Sequence, residues 1–227
     1  MIEFIFVCTL IQTHLSRFAE DVIIYATSEF GFISVSDSFS TGSSLMPQKR
    51  NPDALELLRG KCGRCIGSLN TLLCTMKGTP SSYNKDFQED KEALFDAFDT
   101  VLMSLQIARG VVDTLSINEE RMEAALSVSM LSTDVAYYLV RKGVPFRRAH
   151  HISGEIVALA EVHGVELNEV PLEQLRTVSP KFDKDIADVW RFESSVQQYN
   201  VQGGTAKQAV LDQIDRLAIF TKEDSAK

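Results

Sequence analysis

NPDALELLRGKCGRCIGSLNTLLCTMKG, residues 51–78, settles what kind of fold this chain adopts. Leu55, Leu58, Cys62, Cys65, Leu69, Leu72 and Met76 recur at steps of three and four, the apolar seam of a helix packed lengthwise on others. Asn51 suits the N-cap, Pro52 the first helical position, and Asp53 the positive end of the dipole. Gly78 and Pro80 supply the stop. At 1.5 Å per residue such a helix is about 40 Å long, too long for the core of a small isolated domain.

The same rhythm continues on both sides. Residues 2–28 carry Phe4, Cys8, Ile11, Leu15, Phe18, Val22 and Tyr25 on one seam, ended by Gly31. From about Asp86 to Leu115, the seam is Leu94, Phe98, Val101, Leu105, Ala108, Val112 and Leu115. Three rods with no strands between them cannot bury their own apolar area, which predicts a bundle completed by other copies or by further sequence. After residue 116 the helices shorten: 132–145, 146–164, 171–178, 183–190 and 205–220. The expected organisation is therefore all-α. Residues 1–116 form part of a central bundle with a mobile loop over 33–50, and 117–227 form a smaller C-terminal helical domain with a frayed tail over 221–227.

The bulk numbers exclude several classes. The 227 residues are 44% hydrophobic and 24% charged, an ordinary globular balance. A net charge of −8 argues against a nucleic-acid surface. The apolar opening MIEFIFVCTLI lacks a basic n-region and a cleavage site, and is too short to span a bilayer; it reads as the inside of a longer helix. Four cysteines without a secretory signal fit a reducing cytoplasm.

Two constellations look chemical and are better read as structural. Cys62 and Cys65 have C-x-x-C spacing, but both fall on a seam, and no second pair accompanies them. His150 and His151 are adjacent in a helix and so face different ways; His14 lies beside the first seam, and His163 sits at a helix C-terminus. No metal or other cofactor is expected. The loop 33–50, ISVSDSFSTGSSLMPQKR, is different. Ser43 and Ser44 follow Gly42 as a closing lid requires, and Lys49 and Asn51 reach the start of the second helix, a place for a carboxylate. Lys91 extends the third seam backwards into a core phase, where a cation needs a partner. Gln88 shares its face, and Tyr83 and Lys85 precede it.

GSSLMPQKRNPD, residues 42–53, resembles the Gly-Ser-Ser-x-Met-Pro-x-Lys-x-Asn signature of the fumarase/aspartase superfamily. YNKDFQEDKE at 83–92, TDVAYYLVRKGVPFRRAH at 133–150 and QYNVQGGTA at 198–206 are similar to the argininosuccinate lyase and delta-crystallin branch, in its C-terminal portion. The resemblance implies a helical homotetramer whose sites draw on three subunits, and a β-elimination yielding arginine and fumarate. It implies Ser43 as base, Lys49 as stabiliser of the aci-carboxylate, and Glu56 as the carboxylate that orients a catalytic histidine. Ser44, Asn51, Tyr83, Gln88 and Lys91 would bind a dicarboxylate substrate with a guanidino group. The histidine itself belongs to an upstream segment that nothing here matches, so the chain is expected to be a truncated form, inactive alone. The alternatives are a non-catalytic, crystallin-like assembly protein and another lyase of the superfamily, such as adenylosuccinate lyase.

Overall fold

Three long rods do form: α1 (Ile2–Tyr25), α2 (Asp53–Lys77) and α3 (Asp90–Thr114). The computed structural model describes residues 1–224. It divides into two compact units, Met1–Ala125 and the chain from Leu126 onward. The division falls after the short α4 (Glu119–Ala124) rather than at 116/117. Two links tie α4 to the first unit. The strand β1 (Ile33–Ser34) pairs antiparallel with the strand Ser116–Ile117 just before α4. Arg121 of α4 donates to the carbonyls of Ser28 and Phe30, both at 3.3 Å.

On α2 the expected seam is largely the inward face: Leu55, Leu58, Cys65 and Leu72 are buried, and Met76 is exposed. On α1 and α3 the expected seam is inward only in part, at Cys8 and Val22 and at Val101 and Ala108, and elsewhere the inward face is shifted by about one residue. α1 buries Ile5, Cys8, Gln12, Ala19 and Val22, while Phe4 and Tyr25 are exposed. α3 buries Ala93, Ala97, Thr100, Val101, Ser104, Ala108 and Val111, while Phe98, Leu105 and Val112 are exposed. The reason is size. Ala and Ser let the three backbones approach closely, and the bulkier apolar side chains are left on the other face.

The core of this unit is interrupted. One apolar cluster joins Ile5, Cys8, Cys65, Leu72, Ala93, Ala97 and Val101. The other joins Ala19, Val22, Leu55, Leu58, Ala108 and Val111. Between them along the helices stand Gln12 and Ser104. Gln12 Nε2 donates to Leu58 O at 2.8 Å, while Gln12 Oε1 and Ser104 Oγ are buried without a partner among the described residues. Cys65 is fully buried, and burial above all pushes its thiol up to about 11, an inert state for a cysteine.

In the loop, β2 (Thr41–Gly42) pairs antiparallel with β3 (Arg50–Asn51), and the earlier strand Ser116–Ile117 is β4 in chain order. Asn51 is thus a strand residue rather than the N-cap of α2. Pro52 takes the cap position, and no side chain caps the helix.

The second unit contains α5 (Ser132–Arg141), α6 (Phe146–His163), α7 (Leu172–Val178), α8 (Phe192–Gln197) and α9 (Lys207–Asp224). Residues 184–190 are a 3-10 helix, and α8 was not foreseen. One cluster, including Val135, Leu139, Ile152, Ile156, Leu175, Phe182 and Ile186, forms its core. Gly164 ends α6 in the left-handed conformation at φ 65°. Of the expected frayed tail, residues 221–224 continue α9, and the last three lie outside the described residues.

Candidate active site

The start of α2 opens on a cleft of about 690 Å³. Its walls come from the end of α1 (Ile23, Ala26, Thr27), from Ser34 and Val35, and from Met46 and Gln48 through Pro52 with Glu56. Lys49, Asn51 and Glu56 of the expected site therefore share one cavity. Asn51 is held there by its ladder with Thr41, and Glu56 by the first turn of α2, whose Glu56 N–H donates to Pro52 O at 3.0 Å.

Ser43 sits at the head of the hairpin-like loop 43–49, which β2 and β3 close at its base. Its Oγ accepts the backbone N–H groups of Leu45 at 3.2 Å and Met46 at 3.1 Å. Two N–H donors converging on one hydroxyl oxygen favour its anionic form. Ser44 is exposed on the same loop. Only part of 33–50 is free of the core: Ile33, Val35 and Phe39 pack against the lower apolar cluster. Two polar ties brace the base, an Arg50–Asp37 ion pair at 2.9 Å and a hydrogen bond from Thr41 Oγ1 to Asp53.

Tyr83, Gln88 and Lys91 lie elsewhere. They flank the 3-10 turn Lys85–Glu89, which follows the other end of α2 and leads into α3. Gln88 Nε2 donates to the Tyr83 hydroxyl, and Lys91 Nζ donates to Asp90 at 2.7 Å. Lys91 is not in a core phase: about half its side chain is exposed (48%), and Ala93, two residues on, takes the inward position. The 25 residues of α2 separate the two groups by about 37 Å. Within one copy the structure does not bring them together.

Other residues reach the cleft unannounced. Gln48 and Arg50 belong to the signature stretch but had been given no role. Thr27, Ser28 and Glu29 follow α1, where nothing in the local sequence signals a site, and they arrive only because α1 packs beside α2. The Glu29 carboxyl is held below its usual range by its own backbone N–H first and by Ser28 second. His14 is exposed on α1, and no histidine lines the cleft. Among the described residues no cluster of three or more His, Cys, Asp or Glu could hold a metal ion.

Known proteins are similar to this chain in sequence and fold. A family model described as "Argininosuccinate lyase C-terminal" matches residues 129–197, and one described as "Lyase" matches residues 1–67. An argininosuccinate lyase of Saccharomyces paradoxus is 56% identical over 96% of this chain and 47% of its own length. One of Schizosaccharomyces pombe is 54% identical, again over 96% and 47%. This chain thus spans about half the length of the curated relatives it matches. A solved EDDS lyase variant with bound fumarate superposes with a TM-score of 0.81 at 26% identity, covering 98% of this chain and 46% of that one. On these matches, and on a helical fold shared with the superfamily's solved lyases, the chain belongs to the argininosuccinate lyase family of the fumarase/aspartase superfamily, matching its C-terminal portion.

Proposed function

We propose that this chain supplies two parts of the active site of an argininosuccinate lyase, which splits argininosuccinate into arginine and fumarate. The observation that carries the proposal is the Ser43 hydroxyl, held by two backbone N–H groups on the loop that leads to Lys49 and Asn51 in the cleft wall. The reaction removes a proton from the carbon next to a carboxylate and breaks the C–N bond to the guanidino group. The electron pair of the C–H bond becomes the C=C bond of fumarate. The electron pair of the C–N bond leaves with nitrogen, which takes a proton from an acid.

Ser43, as its alkoxide, takes the carbon-bound proton; the Leu45 and Met46 N–H groups make that alkoxide less costly. Charge then builds on the substrate carboxylate as an aci-form. Lys49 stabilises that charge, with Ser44 and Asn51 binding a carboxylate alongside. Glu56 orients a histidine contributed from outside these 227 residues, as the family resemblance implies. Tyr83, Gln88 and Lys91 grip the substrate from a second copy, because in one copy they stand a helix length away.

That separation makes a homo-oligomer, a tetramer by family resemblance, part of the proposal. The outward apolar residues of the rods support it: Phe95, Phe98, Leu102 and Met103 are all exposed on α3. Gly60, Gly63 and Gly67 of α2 support it too, since among the described residues nothing lies within 4 Å of the place where their side chains would be. We place the protein in the cytoplasm on its four unpaired cysteines. No helix among the described residues is long and apolar enough to cross a membrane.

The test uses a chimaera in which this chain replaces the corresponding portion of the Saccharomyces paradoxus relative. Ser43→Ala and Lys91→Ala should each lose fumarate release, Ser43→Ala through kcat with substrate binding largely kept. Unfolded together and refolded as a mixture, the two variants should recover part of it, since some sites then receive an intact loop from one copy and an intact Lys91 from another. Activity in Ser43→Ala alone overturns the base assignment, and failure of the mixture to recover overturns the shared site. The 227-residue chain alone should release little fumarate, having no histidine in the cleft.

A further inference from the structure

We propose that Phe39 and Gly110 form the anchor that fixes the base of the Ser43 loop, which makes Gly110 of α3 a positioning residue for the reaction. The inference rests on the β-elimination reading above. Gly110 lies in the interior of α3, five residues before its C-cap Leu115, where alanine is the better helix former. Its backbone does not require glycine, for the positive-φ glycines are Gly31, Gly143, Gly164 and Gly203. What requires it is the Phe39 ring. A Cβ on Gly110 would meet Phe39 Cε1 at 3.1 Å and Cε2 at 3.2 Å, with Cζ nearer still. The ring is partly buried and also packs against the cluster of Ala19, Val22, Leu55, Leu58, Ala108 and Val111, so moving it disturbs that packing.

Phe39 closes the 3-10 turn Asp37–Phe39, which local hydrogen bonds keep rigid. Ser36 Oγ accepts the Ser38 N–H at 3.3 Å, and Ser40 Oγ donates to Ser36 O at 3.0 Å. The chain then enters β2 at Thr41 and reaches Ser43. At the far side of the loop, β3 runs directly into Pro52 and α2. The loop therefore has two fixed ends, the Phe39–Gly110 contact and the start of α2. Ser43 hangs from the first, whereas Lys49 and Asn51 hang from the second. Displacing the Phe39 ring moves one end only. It shears Thr41 and Gly42 against their partners Asn51 and Arg50, and it shifts the base relative to the groups that stabilise the carboxylate.

Hydrogen exchange on the 227-residue chain, with Gly110→Ala, Phe39→Ala and the double variant, tests the anchor. Each single variant should speed exchange at the amides of residues 38–42 roughly tenfold, with helix content by circular dichroism unchanged. Because both changes break one contact, the double variant should exchange no faster than Phe39→Ala. Additive acceleration, or unchanged exchange in Gly110→Ala, overturns the anchor. In the chimaera, Gly110→Ala should lower kcat by about a hundredfold with KM little changed. Unchanged kcat overturns the positioning role even where the loop has loosened. Failure of the base assignment shows separately, as turnover surviving in Ser43→Ala, and the exchange result does not depend on it.

Discussion

The two units of this chain differ in the size of the side chains that fill their cores. From Leu126 onward, Leu139, Ile156, Leu175 and Phe182 are all but fully buried in one continuous cluster. In Met1–Ala125 the core is thin, made largely of Ala, Cys and Val and split by Gln12 and Ser104, while Phe4, Phe6, Phe95, Phe98 and Leu102 face outward. The second unit closes a core of large side chains, although Val210, Leu211, Ile214, Leu217, Ile219 and Phe220 of α9 are exposed. The first buries mostly small side chains, and its large ones are available to other helices. A site that needs two ends of the same rod is consistent with that surplus, because the helices that cover the outward faces can also bring in the missing half.

The contrast is broken most directly by truncating one residue in each unit. Ile156→Ala should cost about 2–5 kcal/mol of stability, the range for a large-to-small change in a closed core. Phe95→Ala, by chemical denaturation of a dilute and dissociated chain, should change stability by about 0.5 kcal/mol or less, since its side chain has little to lose there. Comparable costs at the two positions would mean that the first unit is as self-sufficient as the second. A charge on the outward face sharpens the same point. Phe95→Asp combined with Met103→Asp should shift sedimentation toward monomer while circular dichroism reports the same helix content. An unchanged assembly would show that this face is not the one the bundle uses.

The smallest expected effect concerns pH and the second unit. Tyr138 stacks on Phe182, donates to Asp185 at 2.5 Å and accepts the Asp183 N–H at 3.0 Å; Lys142 donates to Asp185 at 2.8 Å. Hydrogen bonds from Lys142 and then Tyr138 hold the Asp185 carboxyl below its usual range. The Asp185 carboxylate raises Lys142, while burial first and Asp185 second raise Tyr138. A depressed carboxyl stabilises the fold above its ordinary range and loses that contribution as pH falls through the folded pKa. The raised lysine and tyrosine lose theirs as pH rises through the alkaline range. Stability of this unit should therefore be flat near neutrality and weaken at both extremes. Asp185→Asn should flatten the acid limb, modestly, because the Asp185 side chain is more than half exposed to solvent. An acid limb of undiminished slope in that variant would assign the acid sensitivity to other carboxylates.

Much was legible in the sequence. The three rods, the stops at Gly78 and Gly164, and the signature at 42–53 are local facts. Helix periodicity repeats within a few residues, and the motif's residue types carry their chemistry wherever they are placed. The seam of α2 was readable because Leu55, Leu58, Cys65 and Leu72 keep to one face, although Leu57, Ile66 and Leu73 lie exposed off it. α1 and α3 carry apolar residues on two faces, and periodicity alone cannot say which turns inward. Packing makes that choice by size: Ala93, Ala97 and Ser104 allow three backbones to approach, and Phe98 and Leu105 do not. The same dependence on distant neighbours hid the walls of the cleft at Thr27–Glu29, the ladder that turns Asn51 from a cap into a strand residue, and the need of Gly110 for a bare face under Phe39. It also set Lys91 in solvent and a helix length away from Ser43, because a contact across a fold depends on where the chain returns, and no short window of sequence contains that information.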